Sequence, residues 1–264
     1  MISIIIPFRD NVNLLEKCVA SILQKTSNSD YEIILVDNNS EKKETFAYLN
    51  GIENESKIKI LNFCKSFNFS ALNNFASRQA AGEFFLFLNN DTVVISENWL
   101  DEMLKCLDDE KVGAVGAKLL YPNGTIQHAG VMLEEKRLAI HAFRTWKEEN
   151  FDFYEPREWS AVTAACMMTR RDLFNSSGGF DEENLPIAYN DVDYCLKLRE
   201  LGYKIVCTPF AKLHHYESAS RKSDVLAKIF NRKRYKQFLS EQEFMRKKWK
   251  NELTNDSFYN EKYI

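Results

Sequence analysis

The sequence lacks any Cys-x-x-Cys pair: Cys18, Cys64, Cys106, Cys166, Cys195 and Cys207 are scattered through 264 residues, mostly within apolar stretches. That spacing argues against a zinc ribbon or a disulfide framework, so the cysteines read as buried thiols of a cytoplasmic protein. Charge of one sign is missing too. Acidic and basic residues nearly balance at a net −3, which removes the field that would draw a nucleic-acid polymer. No apolar run approaches the ~20 residues of a membrane span, and Met1 to Pro7 meets Arg9 and Asp10 too soon for a signal peptide. No Gly-x-Gly-x-x-Gly follows the first apolar run, which takes most support from a dehydrogenase. The same stretch holds no glycine-rich basic loop for a triphosphate, which weighs against a nucleotidyltransferase. No internal repeat is present.

What is present is an alternation. Ile2 to Ile6 is a continuous β-branched run stopped by Pro7, as in a strand covered on both faces. Leu14, Leu15, Cys18, Val19, Ile22 and Leu23 then recur on one helical face, with Asn11 or Asn13 as N-cap. Strands over 32–36, 58–61 and 84–88 and helices over 43–49 and 70–81 continue the order. This predicts an α/β fold with a mostly parallel central sheet flanked by helices. Later elements are a helix over 99–107, a strand over 112–120, a helix over 191–201 and a strand over 204–207 ended by Pro209. Residues 134–160, charged and aromatic without a period, read as a loop or lid. Residues 221–264 begin with a stretch rich in Lys and Arg interleaved with aromatics. They read as a basic amphipathic helical tail that packs its apolar stripe on the main domain, with contact to an anionic membrane as the alternative.

Ligands of open α/β sheets sit beyond the carboxyl ends of the strands. Arg9-Asp10, Asp37-Asn38-Asn39-Ser40 and Asn89-Asn90-Asp91 each follow a strand and should meet at one edge. Any one of them is also an ordinary turn or cap sequence. Asp37 has the chemistry to accept from the ring N–H of uracil or guanine, and the asparagines suit a base or ribose. Asp91 is a hard carboxylate able to hold Mg²⁺ or Mn²⁺ against a diphosphate. A second constellation is Gly178-Gly179-Phe180-Asp181-Glu182, Asn190-Asp191-Val192-Asp193 and His214-His215-Tyr216-Glu217-Ser218. There the paired glycines allow close backbone approach, and Asp191 is either catalytic or a partner of the helix dipole. The segment from Thr125 to Gly130 either lines a sugar site, with His128 as a candidate, or simply packs.

In this order the residues resemble the family 2 glycosyltransferases of GT-A fold, particularly bacterial enzymes that build surface polysaccharides. The marks span about residues 2 to 220: Ile4-Ile5-Ile6-Pro7, Val36-Asp37-Asn38-Asn39-Ser40, Gly82-Glu83, Leu86 through Thr92, Gly178 through Glu182, Asn190 through Arg199, and His215 through Ser218. The resemblance implies a nucleotide-binding half over about 1–96 and an acceptor half over about 97–220, with 221–264 as the tail. It implies that Asp37 reads the base, with Pro7, Arg9, Asn39, Asn74, Asn89 and Asn90 around the nucleotide. Asn89-Asn90-Asp91 occupies the family's Asp-x-Asp motif with its first carboxylate replaced, so Asp91 and His215 become the ligands of Mn²⁺ or Mg²⁺, with His214 the runner-up. Gly178, Gly179, Asp181 and Asn190 fall to the acceptor or sugar, and Asp191 matches the general base. The implied reaction is inverting transfer from a nucleotide diphosphate-sugar, UDP or dTDP type favoured and GDP as alternative, to a glycan or lipid-linked hydroxyl. The implied place is the cytoplasm, with the inner membrane face as a peripheral site. Competing readings are a non-catalytic nucleotide-sugar binder, a nucleotidyltransferase and a scaffold resting on the tail.

Overall fold

The structure, a computed structural model, describes residues 1–27, 30–151, 153–216 and 232–264. Glu217, Ser218 and the first part of the basic tail, 221–231, lie outside the described residues. The first half alternates as expected: β1 (Ile2–Phe8), α1 (Val12–Lys25), β2 (Tyr31–Asp37), α2 (Lys43–Ile52), β3 (Ile58–Asn62), α3 (Phe69–Ser77) and β4 (Phe84–Leu88). There follow β5 (Thr92–Val94), α4 (Trp99–Leu107), β6 (Val112–Leu120), β7 (Ile126–His128), β8 (Val131–Glu134) and β9 (Leu138–His141). The chain continues through β10 (Arg157–Trp159), β11 (Cys166–Arg170), α5 (Arg171–Ser176), α6 (Asn190–Glu200), β12 (Lys204–His215), α7 (Arg232–Lys248) and α8 (Lys250–Thr254).

One sheet of ten strands organises the molecule, in the order β10-β12-β6-β11-β4-β1-β2-β3, with β5 on β12 and β7 on β6. β1 to β4, β6 and β12 run the same way, and β11 is inserted antiparallel between β4 and β6. Alternation along the strands divides the core into two. Ile5, Ile34, Val36, Phe85 and Phe87 face α3, α6 and the C-terminal helices, while Ile4, Ile6, Ile33, Leu35, Leu86 and Leu88 face α1 and α4. That two-sided burial is why the strands read as unbroken apolar runs. Strand order reverses between β1, which leads to β2 and β3, and β4 on its other side, so a crevice opens at their carboxyl ends.

Three expectations change. First, residues 134–160 are not a lid. β9 and β10 lie there, and Phe143 packs against Trp146, Phe151, Trp159 and Tyr263 at ring separations of 5.2, 5.2, 6.0 and 4.7 Å. The charge of Arg157 sits within this cluster, 4.2 Å above the Phe153 ring and 4.9 Å above Trp159. These aromatics come from a turn closed by Trp146 N on Phe143 O, from the chain around Phe151 and from β10, so no single period marks the segment. Second, β12 does not end at Pro209. Its register with β6 jumps from Thr208 to Lys212, so Pro209, Phe210 and Ala211 leave the ladder in a bulge and the strand resumes to His215.

Third, Cys18, Cys166, Cys195 and Cys207 are buried, yet Cys106 is only partly covered and Cys64 is exposed. The described part of the tail, by contrast, packs on the main domain as expected. Met245, Trp249 and Leu253 are buried in the same core as α6, and the Asp193 carboxylate accepts from Lys248 Nζ at 2.6 Å and Trp249 Nε1 at 2.8 Å. Among the described residues, no helix is long and apolar enough to cross a membrane.

Candidate active site

At the ends of β1 and β2, the ladder pairs Phe8 with Asp37. Asp37 Oδ1 accepts from Ser40 N at 3.0 Å and Ser40 Oγ at 2.6 Å, a local turn that fixes the carboxylate. Asn38 Nδ2 donates to the carbonyls of Phe63 and Lys65, and Asn39, in the left-handed region at φ 59°, donates to Lys65 as well. These asparagines hold the 63–67 loop. Asp10, also left-handed at φ 49°, accepts on Oδ1 from Glu41 N, Lys42 N and Thr45 Oγ1, and so caps α2 from a distance. Burial acts to raise its pKa, but those hydrogen bonds and the Lys42 charge outweigh burial and hold the carboxyl below its ordinary value.

Asp10→Ala should therefore lower stability by about 1 kcal/mol at neutral pH, as loss of a cap does. Because the folded value lies below the unfolded one, that difference should be complete above about pH 5. The charge-linked part should vanish as pH falls through the folded value, leaving only the strain of alanine at φ 49°, and denaturant unfolding of both proteins at pH 7 and pH 3 checks it.

Pro7, Arg9, Asn11, Phe67, Phe69, Leu72, Asn89, Asn90, Asp91, Ile187 and Arg234 line a cleft of about 430 Å³. Arg9 pairs with Glu41 at 2.8 Å on its rim. Asp37, Asn39 and Asn74 stand outside this lining. The Asn74 amide instead donates to Phe180 O and accepts from Phe180 N, latching α3 to the Gly178–Asp181 turn.

Beyond β4 the chain turns through Asn89, Asn90 and Asp91 into β5, whose Thr92 pairs with His215 of β12. That register brings His215 Nε2 to 3.1 Å from Asp91 Oδ1 and 3.2 Å from Asn89 Nδ2. Gln127 grips the other side: its Oε1 lies 2.6 Å from His215 Nδ1, and its Nε2 donates to His215 O at 3.3 Å. An amide oxygen only accepts, so Nδ1 carries a proton, and Nε2 is the ring atom that would offer a lone pair to a cation held beside Asp91. The pair fits a divalent cation: adjacent ligands at about 2.1 Å in an octahedral shell stand about 3.0 Å apart. Among the described residues no third His, Cys, Asp or Glu completes a cluster. His214 points to the opposite face by strand alternation, its Nδ1 buried without a hydrogen bond among the described residues.

A second cleft of about 320 Å³ shares Phe69, Asn89, Asp91 and Ile187 with the first and adds Gln127, His141, Arg144, Thr163–Ala165, Ala188–Val192 and His215. Asp91 thus stands at the junction. Asp191, at the start of α6, is half-buried here, and its Oδ2 accepts from Ala164 N at 3.0 Å. Asn190 donates to Ile187 O at 3.2 Å and secures the preceding turn. Gly178, Gly179 and Asp181 do not line this cleft. Gly179, at φ 65°, packs where a Cβ would meet Asn74 Oδ1 at 2.8 Å, and Asp181 accepts from Glu183 N and Asn184 N. Their chemistry is that of a tight turn.

His128 lies behind the cleft wall, fully buried, its Nδ1 2.9 Å from His141 Nδ1. Burial, with the His141 and His215 charges, pushes its pKa well down and keeps it neutral. His141, Arg144, Arg234 and the Ala164 amide are not singled out by the sequence, and Gln127 only as part of the Thr125–Gly130 segment. They come from segments without a motif, and only the fold assembles them.

Comparison with known proteins places this geometry. The model described as "Glycosyl transferase family 2" matches residues 3–178. An uncharacterized protein, y4gI, of Sinorhizobium fredii is 39% identical over 265 residues, 98% of this chain and 29% of that protein. The O-antigen biosynthesis protein RfbC of Myxococcus xanthus is 42% identical over 232 residues, 85% of this chain and 18% of that protein. The chain therefore spans less than a third of either relative. The crystal structure of GalNAc-T7 with UDP, GalNAc and Mn²⁺ superposes with a TM-score of 0.69 at 18% identity, over 82% of this chain and 44% of that one. The fold is thus GT-A-like, and with a family model covering most of its sheet the chain belongs to glycosyltransferase family 2.

Proposed function

We propose that this chain transfers a sugar, with inversion, from a nucleotide diphosphate donor to a hydroxyl of a glycan or lipid-linked acceptor in bacterial surface-polysaccharide synthesis. The observation that carries the proposal is the meeting of two clefts at Asp91, with Asp191 in one and Pro7, Arg9 and Asn90 in the other. A nucleoside diphosphate in the first cleft would bring its sugar–phosphate bond to the junction, and the acceptor would enter from the second. The nucleotide-binding half is then about 1–96 and the acceptor half about 97–220.

Asp91 and His215 would hold Mn²⁺ or Mg²⁺, which when bound neutralises charge on the departing diphosphate. Asn89, hydrogen-bonded to His215, takes the place of a second carboxylate and suits the ribose. Asp191, oriented by the Ala164 amide, would take the acceptor proton as oxygen attacks the anomeric carbon from the side opposite the diphosphate. With Asp91 assigned to the cation, Asp191 alone serves the acceptor, which suits a single displacement. A single displacement inverts. The kinship with an O-antigen protein supports the polysaccharide context, and the GalNAc-T7 structure of the same fold, which holds UDP and Mn²⁺, supports a UDP or dTDP donor, with GDP as alternative. The Lys and Arg of α7, several of them exposed, would suit an anionic membrane face.

Thermal unfolding in the presence of UDP, dTDP or GDP, each with and without Mn²⁺, tests the reading. One nucleotide should raise the midpoint by several degrees only when Mn²⁺ is present, since a ligand stabilises the state it binds. No shift with any pair would overturn the assignment of Asp91 and His215.

A further inference from the structure

The stretch from Ile187 to Asp193 carries Asp191 and walls the acceptor cleft, and helix α7 grips it at both ends. Glu241 of α7 is 1% exposed, and its carboxylate accepts from Ile187 N at 3.2 Å and Ala188 N at 3.0 Å. Gln237, one turn earlier, donates to it at 3.2 Å. A buried carboxylate is tolerated only with its oxygens satisfied, and here main-chain donors of the cleft wall satisfy them. Gln242 donates to the Tyr189 hydroxyl at 3.1 Å, and the Phe238 ring stacks on Tyr189 at 5.9 Å. At the far end of the helix, Lys248 and Trp249 hold the Asp193 carboxylate at 2.6 and 2.8 Å.

Between these anchorages Tyr189 sits at φ 60°, a conformation that a tyrosine keeps only when its surroundings impose it. The next residues open α6 and bring Asp191 to the Ala164 amide. Ile187 also lines the nucleotide cleft, and Arg234 joins that lining from the first turn of α7. One helix from beyond the family-model match therefore touches both sides of the junction.

We propose that α7 is a positioning element of the active site, with Glu241 the residue that fixes the shared wall and, through it, Asp191; this rests on the transfer reaction proposed above. Glu241 touches no reacting atom. Its carboxylate sets the two amides from which the Asp191 turn begins, and the Asp193 latch sets where that turn ends. Loss of either oxygen would let the wall relax while the sheet, the Asp91–His215 pair and the nucleotide cleft stay in place.

Glu241→Gln is the discriminating variant, because it keeps the size of the side chain and turns one acceptor into a donor facing the Ile187 or Ala188 N–H. Glu243→Gln, on an exposed position of the same helix, is the control. Hydrogen exchange, thermal unfolding and hydrolysis of UDP-N-acetylglucosamine, UDP-glucose, GDP-mannose and dTDP-rhamnose with Mn²⁺ are measured on both variants and the parent, water standing in for the acceptor. In Glu241→Gln, amides over 187–193 should exchange about tenfold faster, and kcat on whichever donor the parent hydrolyses should fall about tenfold with the donor KM within about twofold. Glu243→Gln should match the parent.

A lowered unfolding midpoint with unchanged kcat would show that α7 merely stabilises the fold and would overturn the proposal. Unchanged exchange over 187–193 would overturn it as well. If the parent hydrolyses no donor, the transfer reaction fails separately, and the exchange result alone decides whether Glu241 sets the wall.

Discussion

Asp191→Asn should abolish most turnover while leaving nucleotide affinity within about twofold of the parent, because general-base catalysis is worth about 10²–10⁴-fold. Asparagine keeps the shape of the side chain, and its oxygen can still accept from Ala164 N, so the cleft wall should not move. What it loses is the capacity to take a proton. Asp191 lines only the acceptor cleft, so the nucleotide side should not register the change. Steady-state rates at saturating donor, with nucleotide titrations in parallel, separate the two. An active Asp191→Asn protein would remove the base assignment.

Asp91→Ala should weaken both binding and turnover. Replacing a residue that merely supports a metal ligand typically costs about 10–100-fold in metal affinity, and removing a ligand carboxylate should cost more. The Mn²⁺-dependent rise in the unfolding midpoint should disappear, and paramagnetic resonance of Mn²⁺ with UDP should report no protein-bound ion. Gln127→Leu should sit between Asp91→Ala and the parent, at about 10–100-fold, since it leaves both ligands and removes only the partner that orients His215. Equal Mn²⁺ binding by all three proteins would exclude this pair as the metal site.

The first half of the sheet was legible because a strand buried on both faces and a helix buried on one leave different periods, and β1 to β4 show them without interruption. The acceptor half was less so. Its 134–160 segment enters the core through single aromatics, and Arg157 hides among them. Pro209 reads as a stop, yet the strand passes it through a bulge.

Within the site, the residues following β4 could be named because strand ends collect polar groups at one edge, whereas His215 is named through the family resemblance. Asn74 ties α3 to Phe180, and Asp181 closes a turn on Glu183 and Asn184, and a sequence string does not reveal whether it meets a ligand or a neighbour. The orienting amide of Ala164 left no mark at all, since every residue carries a main-chain N–H.

The bulge in β12 has a further effect, on which residues share a face. Thr208 meets Ala117 and Lys212 meets the next rung, Lys118, so Pro209, Phe210 and Ala211 drop out of the count and the alternation continues as if they were absent. What sets the faces beyond the bulge is the rung at which pairing resumes: a slip of one rung would present His214 to Asp91 and turn His215 toward the opposite face. Which of two adjacent, chemically identical side chains belongs to the site is thus decided where β12 rejoins β6. A longer or shorter detour leaves the site intact as long as Lys212 still meets Lys118.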